Sequence, residues 1–304
     1  MGEGMAGHLE RPYEPLADSA PLAWALAPRL CQGDPASHES CVWYHQVWQY
    51  LRLLEIITSI RTNTPFLLDT FARLADTHPR VLIAASADYG MLAHLKHAFG
   101  DRPLDVTLVD RCPTSIRLNQ WYADRLGFAL TTVCDDVLAV RTDRPFDLVC
   151  THNFVGRFEA EGRLRLAERW HALLRPGGVV VTTQRVRPGS REVRTSYTPE
   201  QARALGATVA AAAAAYPGSL GASPEDVGHA TVEYALRKGA YVVSSSHEIA
   251  ETFARAGFEV RVADEGGGAA ERQADRPSST AGTDSYRMRL VAMKPAREGR
   301  GEAV

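Results

Sequence analysis

The sequence predicts an α/β protein whose core is a doubly wound, mostly parallel β-sheet. Between residues 80 and 183, short apolar segments alternate with segments of helical character. The apolar segments lie at residues 81–86, 105–110, 129–134, 146–151 and 179–183. Near-continuous hydrophobic runs are typical of parallel strands that helices cover on both faces. With 304 residues, 45% of them hydrophobic, the chain can bury a large core without disulfides or a metal.

Start and stop signals place helices between these strands. Gly100 and Gly127 follow two of the amphipathic segments, and glycine is the usual residue just past a helix end. The predicted helices span residues 91–99, 114–126 and 162–174. After a long interruption the pattern resumes with a helix at 247–256, begun by Ser246, and strands at 258–264 and 285–294. Between these strands, residues 265–283 are rich in Gly, Ala, Ser and Pro and predict a disordered loop.

Residues 1–64 are predicted to form an N-terminal arm and a helical lid. Residues 1–40 are rich in Pro, Gly and Ala, which predicts a loose arm with one short helix near 22–30. The segment 41–60 carries apolar residues at helical spacing and an unusual density of aromatic residues. A further helix is predicted at 66–76, with Thr64 as its N-cap.

The region 184–245 departs from the alternating pattern and is predicted to be a helical cap inserted after strand five. It contains an arginine-rich loop, an alanine run at 210–215 and a helix at 224–238 that Ser223 and Pro224 begin. Residues 65–183 and 246–304 would then form the cofactor-binding domain.

Composition excludes several classes of function. The net charge of −2, from 34 basic and 36 acidic residues, disfavours a nucleic-acid partner. No apolar run reaches the roughly 20 residues that span a bilayer, and the N-terminus lacks a secretory signal. We therefore expect a cytoplasmic protein with no membrane partner.

The cysteines predict neither disulfides nor a metal site. There are five of them, and no pair has CxxC spacing. Cys134 and Cys150 end apolar runs, which predicts buried thiols. His94 and His97 share a helix face, but the sequence offers no third ligand beside them.

A ligand site is expected where the first two strands end. In open parallel sheets the ligand lies beyond the carboxyl ends of the strands, next to the first one. There the loop Ala85-Ser86-Ala87-Asp88-Tyr89 precedes a helix, whose first N–H groups lack helical partners. Asp110 ends the second strand about 20 residues further on, where an acid can accept hydrogen bonds from both hydroxyls of a ribose.

Taken together, these segments resemble the class I S-adenosylmethionine-dependent methyltransferases over residues 80–183 and 246–294. The resemblance rests on the strand, small-residue loop and helix, then Asp110, Asp135-Asp136, FDLVCTHN and LLRPGGVVV. It implies a seven-stranded Rossmann-like sheet with a closing antiparallel pair, and S-adenosylmethionine (SAM) as cosubstrate or sole substrate. The cofactor-binding residues that it implies are Ala85, Ser86, Ala87, Asp88, Tyr89, Asp110, Arg111, Asp135, Asp136, Val137 and Thr151.

The glycine motif departs from that family. Its usual GxGxG reads Ala85-x-Ala87-x-Tyr89 here, and Ile83 replaces the acid that often precedes it. Each added Cβ crowds the close approach that glycine allows, so either the ligand lies differently or the chemistry differs. An NAD-dependent dehydrogenase is disfavoured because its pyrophosphate requires the tight Gly-rich turn.

Four residues are candidates for catalysis: His152, Asn153, Tyr44 and His45. The first two follow strand four, where a histidine could take a proton and an asparagine could orient a substrate. The second two belong to the aromatic segment, whose rings could shield a sulfonium. The alternatives are a polar turn and a helix that simply packs its aromatic residues. Arg185 and Arg187, after strand five, either bind a substrate carboxylate or are exposed charges.

Three functions remain open on the sequence. The first is methyl transfer to a small molecule, in secondary metabolism. The second is cyclisation of SAM to a small-ring amino acid with release of methylthioadenosine, because the aromatic lid and unusual loop resemble methyltransferase-fold cyclases such as azetidine-2-carboxylate synthases. The third is a non-catalytic SAM-binding accessory protein. The expected partner is a small-molecule substrate, and a homodimer is compatible with the sequence.

Overall fold

The computed structural model describes residues 14–31, 40–57, 59–264 and 285–296. Within these ranges the strands are β1 (Arg80–Ala84), β2 (Asp105–Asp110), β3 (Leu130–Cys134), β4 (Phe146–His152), β5 (Leu174–Val186), β6 (Glu259–Asp264) and β7 (Tyr286–Met293). The helices are α1 (Leu16–Leu30), α2 (Val42–Leu53), α3 (Ser59–Thr62), α4 (Thr64–Leu74), α5 (Gly90–Phe99), α6 (Pro113–Arg125), α7 (Ala160–Leu173), α8 (Pro199–Ala214), α9 (Pro224–Arg237) and α10 (Ser246–Arg255).

The seven strands form one sheet in the order β3-β2-β1-β4-β5-β7-β6. The first five pair in parallel, and β7 runs antiparallel between β5 and β6. This confirms the predicted α/β fold class, including the closing antiparallel pair. Because the strands run parallel, β1, β2, β4 and β5 bring their carboxyl ends to one edge of the sheet.

Each face of the sheet supports its own hydrophobic cluster. Side chains of β1 alternate between them: Leu82 packs with α7 and α10, whereas Ile83 packs with α4 and α5. Trp170 on α7 is completely buried in the first cluster. Helices thus cover both faces, as the continuous hydrophobic runs of the strands predict.

A third hydrophobic cluster lies outside the sheet and joins the N-terminal helices to the helices inserted after β5. It contains apolar residues of α1, α2, α8 and α9. The N-terminal helices and the helices inserted after β5 therefore pack as one layer. The predicted division into a lid and a separate cap stays a prediction, but the two segments share this core.

Several predicted boundaries are wrong. The single helix expected at 41–60 is interrupted after Leu53 by a turn in which Glu55 has φ 58°, and α3 follows separately. Asn63, not Thr64, is the N-cap of α4, and the Thr64 hydroxyl lies 2.8 Å from His94 Nε2. Helix α1 begins at Leu16, well before residue 22, and Ser245 rather than Ser246 caps α10.

Other expectations fall partly or wholly outside the described residues. The predicted loop at 265–283 and the first 13 residues of the arm belong to this group. In the ranges that are described, no helix is both long and apolar enough to cross a membrane.

The contact between α8 and α9 depends on two glycines. A Cβ added at Gly206 would lie 2.5 Å from Val232 Cγ2 and 2.8 Å from the Gly228 carbonyl oxygen. Both helices would have to separate to admit any side chain there.

We predict that Gly206→Leu lowers the free energy of unfolding by about 1–3 kcal/mol, the usual range for overpacking. Urea denaturation followed by circular dichroism measures it. Ala207→Leu, on the exposed side of the same helix, is the matched control and should change stability by less than about 0.5 kcal/mol. Equal stability of the two variants would contradict the close packing of α8 on α9.

Candidate functional site

A cavity of about 940 Å³ lies at the carboxyl edge of the sheet. Its walls come from the loops after β1, β2, β4 and β5, from α2, and from the end of α9. This volume is at the upper end of the range for small-molecule sites. The cavity therefore lies where the topology predicts a ligand, and residues of the helical layer line the side that faces away from the sheet.

The loop after β1 keeps a glycine-like backbone although it lacks glycine. Ala85 has φ 60°, in the left-handed region, and its N–H donates to the Val109 carbonyl oxygen at 2.8 Å. A non-glycine residue in that region costs roughly 1–2 kcal/mol, so the surrounding structure holds it there. Ala85, Ser86 and Ala87 all line the cavity.

Tyr89, the largest departure from the glycine motif, does not crowd this wall. Its side chain is fully buried, its hydroxyl lies 2.8 Å from Ser19 Oγ on α1, and its ring stacks on Tyr122. Tyr89 therefore fastens α1 to the sheet domain. The crowding expected from the sequence is absent at this residue because the side chain points into the core.

Asp110 lines the cavity at the end of β2, as predicted. One carboxylate oxygen accepts a hydrogen bond from Ser86 N at 2.9 Å, and the other accepts one from Cys112 N at 2.8 Å. Burial raises the pKa of Asp110, and the charge of His45 and the two backbone hydrogen bonds offset only part of that rise. Each oxygen retains a second lone pair that can accept a ligand hydroxyl.

Asp88 holds α2 against the loop. Its Oδ2 accepts hydrogen bonds from Trp48 Nε1 at 2.7 Å, Gln49 Nε2 at 2.6 Å and Arg52 Nη1 at 2.7 Å, and its Oδ1 accepts one from Gly90 N. Burial favours the neutral acid, but the Arg52 charge and these hydrogen bonds outweigh it and lower the pKa of Asp88. Asp88 lines the cavity, yet its carboxylate is occupied by contacts to side chains of α2. The sequence did not indicate this role.

His152 and Asn153 lie at the end of β4, in the middle of the cavity wall. Asn153 and Asn63 each place Nδ2 3.4 Å from His152 Nε2, so the donors surround an unprotonated ring nitrogen. Asn153 has φ 52°, and its buried Oδ1 has no hydrogen-bond partner among the described residues. Sequence reasoning missed Asn63, which Arg289 orients through a 3.0 Å hydrogen bond from Nε.

Aromatic side chains of α2 form part of the opposite wall. Tyr44 stacks on Trp48 with ring centroids 5.0 Å apart, and the Arg157 guanidinium lies 5.5 Å from the Tyr44 ring centre. Burial raises the pKa of Tyr44 to about 12. Tyr44 therefore stays protonated at neutral pH and can donate a hydrogen bond rather than act as a base.

Basic and phenolic side chains line the end of the cavity nearest β5. They are Arg157, Arg185, Arg187, Lys238, Tyr197 and Tyr241. Arg185 and Arg187 were candidates from the sequence, and both reach the cavity. Arg157 and Lys238 were not, because they lie on a 3₁₀ turn after β4 and just past α9, which only the fold brings to this site.

The remaining predicted cofactor residues lie beside the cavity rather than on its surface. Asp135 is exposed, Asp136 accepts a hydrogen bond from Leu138 N at 2.9 Å, and Val137 and Thr151 are buried. Arg111 does line the cavity, and its guanidinium lies 3.9 Å from the Asp136 carboxylate.

The cysteines differ from their prediction. Cys150 is buried as expected, but Cys134 is exposed because it ends β3, a strand at the edge of the sheet. Cys31, Cys41 and Cys112 gather around His45 at one end of the cavity wall. His45 thus faces sulfur atoms in addition to lining the cavity.

We predict that Asp88→Asn lowers the free energy of unfolding by about 3–5 kcal/mol at pH 7, the cost of breaking a buried ion pair. Because the folded-state pKa of Asp88 is below the unfolded value of about 3.9, the ionised carboxylate makes its full contribution to the free energy of unfolding above about pH 3.9. It is lost as the pH falls through the folded-state pKa. The difference between wild type and variant should therefore shrink below about pH 4.

Urea denaturation across this pH range provides the measurement. Asp69→Asn, which removes an exposed ion pair with Arg73, is the control and should cost less than about 1 kcal/mol. A pH-independent difference would show that the Asp88 carboxylate is not the group that Arg52 stabilises.

No protein-family model matches the chain, and no curated protein sequence matches it at a significant level. Solved structures do share its fold. The apo S-adenosylmethionine-dependent methyltransferase SibL is 15% identical, with a TM-score of 0.50 over 96% of this chain and 72% of SibL. An O-methyltransferase family protein from Burkholderia thailandensis is 14% identical, with a TM-score of 0.50 over 94% of this chain and 71% of that one. An S-adenosylmethionine-dependent methyltransferase from Clostridium acetobutylicum is 9% identical, with a TM-score of 0.50 over 81% and 96%. The chain therefore has the class I fold of S-adenosylmethionine-dependent methyltransferases.

Proposed function

We propose that this protein is a SAM-dependent enzyme that transfers a methyl group to a small anionic acceptor. The observation that carries the proposal is the charge distribution along one cavity. Among the described residues, the two lining carboxylates, Asp88 and Asp110, lie beside β1 and β2, where Asp88 is paired with Arg52. No lining carboxylate of the described residues accompanies the four basic side chains that line the end beside β5: Arg157, Arg185, Arg187 and Lys238. Three strand spacings separate β2 from β5, or about 14 Å, so the acidic and the basic groups line opposite ends of the cavity.

The residues at the β1–β2 end fit the adenosyl and methionine parts of SAM. Asp110 offers two carboxylate oxygens to a ribose, and the left-handed Ala85 keeps the loop backbone open to a ligand. When bound, SAM supplies a methyl group activated by its sulfonium.

The helical layer supports this chemistry by excluding water. Tyr44 and Trp48 present stacked rings to the cavity, and aromatic faces stabilise a cation without attacking it. The buried contacts of Asp88 hold those rings in place. A dry cavity protects the reactive methyl group from hydrolysis and strengthens the charge interactions inside it.

His152 is our candidate for the general base. It follows β4, which lies between β1 and β5, so it stands between the two ends of the cavity. Two amide nitrogens lie 3.4 Å from its Nε2, which is therefore an acceptor. A hydroxyl or amine of the acceptor would displace these long contacts and transfer its proton to Nε2. Arg185, Arg187 and Lys238 would bind the acceptor's carboxylate, for which arginine offers bidentate hydrogen bonds.

Cyclisation of SAM is the competing enzymatic function. It consumes no second substrate and would leave the arginine-rich end of the cavity without a role. A non-catalytic accessory protein would have no use for His152 between the two ends. These considerations favour methyl transfer. The reaction products would distinguish methyl transfer, cyclisation and a non-catalytic accessory role.

Asp110→Ala should weaken SAM binding by about 1.5–3 kcal/mol, roughly 10- to 100-fold, because charged hydrogen bonds to the ribose are lost. Calorimetry on the folded variant measures the change. Asp105→Ala, at the exposed opposite end of the same strand, is the control and should bind SAM normally. Unchanged affinity in both variants would remove Asp110 from the cofactor site.

Incubation with SAM, with and without carboxylate-bearing hydroxy and amino compounds, tests the reaction itself. Methyl transfer predicts S-adenosylhomocysteine and a methylated product that depend on the added acceptor. An acceptor whose carboxylate is replaced by a neutral amide should have a higher KM. Enzyme-dependent methylthioadenosine without an acceptor would instead establish cyclisation, and no turnover under any condition would favour the accessory protein.

His152→Gln belongs in the same assay. Loss of a general base should lower kcat by about 10²- to 10⁴-fold while SAM affinity stays the same. His229→Gln, on the exposed face of α9, is the control and should retain full activity. Full activity of His152→Gln would assign the base to another residue.

A further inference from the structure

Three cysteines and one histidine from three separate segments of the chain converge beside the ribose end of the cavity. They are Cys31 at the end of α1, Cys41 at the N-cap of α2, His45 one turn later, and Cys112 at the N-cap of α6. Their sulfur and ring nitrogen atoms all lie within 4.8 Å of one another. Nothing in the proposed methyl transfer requires this arrangement.

The distances match the edges of a metal-centred tetrahedron. Cys112 Sγ lies 3.6 Å from Cys31 Sγ and 3.4 Å from Cys41 Sγ, and His45 Nδ1 lies 3.3 Å from Cys112 Sγ and 3.6 Å from Cys31 Sγ. Zinc bonds of about 2.3 Å to sulfur and about 2.0–2.1 Å to nitrogen give tetrahedral edges of about 3.8 Å and about 3.5 Å. Four of the six distances between these atoms are thus close to the edges of such a tetrahedron, and the other two are at most 4.8 Å.

The local structure explains why these side chains converge. Cys41 and His45 are four residues apart on α2 and therefore share one face of that helix. Cys112 N donates to the Asp110 carboxylate, which fixes the turn that presents its sulfur. The buried Thr114 hydroxyl lies 3.2 Å from Cys31 Sγ, where it can donate a hydrogen bond to a thiolate.

We propose that Cys31, Cys41, His45 and Cys112 bind one zinc ion. A tetrahedral site of three thiolates and one imidazole is typical of structural zinc, and soft sulfur ligands favour zinc over hard cations. Four protein ligands complete the coordination, so the ion holds structure and leaves no position for a substrate. The cysteines release their thiol protons when the ion binds.

This zinc would clamp the N-terminal helices to the sheet. Its ligands join the end of α1 and the start of α2 to the turn after β2 that also carries Asp110. The sequence-based expectation of no metal site relied on the absence of CxxC spacing. Here the ligands come from three separate segments, and only the fold brings them together.

Metal analysis of the reduced, full-length protein tests the proposal. Elemental analysis should find one zinc per chain. After chelation, titration with Co²⁺ should give the visible spectrum of a tetrahedral cobalt–thiolate centre, which Zn²⁺ then abolishes. Zinc should also raise the Tm of the metal-depleted protein, because it binds the folded state.

Cys112→Ser should weaken zinc binding by at least about 100-fold, since loss of a direct ligand exceeds the effect of losing a supporting contact. Cys134→Ser, an exposed cysteine on the same edge of the sheet, is the matched control and should bind zinc like the wild type. If Cys112→Ser does not fold, the less buried Cys41→Ser replaces it.

A reduced wild-type protein that takes up neither zinc nor cobalt would overturn the proposal. Equal zinc affinity in the ligand variants and in Cys134→Ser would overturn it as well. A disulfide between Cys112 and Cys31 or Cys41, in a protein that binds no metal after reduction, would identify the cluster as a redox pair instead.

Discussion

The buried Asp88 carboxylate is the contact on which the cavity depends. It accepts hydrogen bonds from three side chains of α2 and from the backbone N–H of Gly90 at the start of α5. Arg52, one of those donors, also pairs with Glu14 ahead of α1, so a short chain of charges ties both N-terminal helices to the first loop of the sheet. Such a network is costly to bury, and it is stable because each charge has a partner. The aromatic wall of the cavity is therefore set by electrostatics as much as by packing.

The cavity lies between the carboxyl edge of the sheet and the helical layer. The edge comes from parallel strands whose ends are fixed by the sheet, and two residues there, Ala85 and Asn153, are held in left-handed conformations. Such conformations are retained where the surroundings enforce them, and they cluster at functional sites. The helical layer consists of α1, α2, α8 and α9, which share one hydrophobic cluster. Within it, α8 and α9 approach closely through small residues such as Gly206. The β1–β2 end of the cavity is thus built from strand ends and α2, whereas the basic residues at the other end come from β5 and from the segments that follow β4, β5 and α9.

The candidate residues divide according to how they were predicted. Those at or just after the carboxyl ends of β1, β2 and β4, such as Ser86, Asp110 and His152, line the cavity because these strands end at it. Asp135, which follows the edge strand β3, and Thr151, inside β4, lie beside it. Arg157 and Lys238, which were missed, reach the cavity from segments without a strand register to place them. Asn63, also missed, is buried and contacts the site through His152. Helix α8 was also missed, although Thr198 and Gln201 form a capping box at its start.

The sequence by itself determined the α/β class, the approximate strands and the edge of the sheet at which the cavity lies, because hydrophobic periodicity and turn residues are local signals. It also indicated that glycine was missing from the first loop. Only the tertiary structure decided what replaced it: Ala85 adopts the glycine-like conformation and Tyr89 turns into the core. The tertiary structure likewise decided that the N-terminal helices pack on the inserted helices. It also brought together one histidine and three cysteines: His45, Cys31, Cys41 and Cys112. Such contacts join residues far apart in the chain, and their geometry depends on packing that no local pattern specifies.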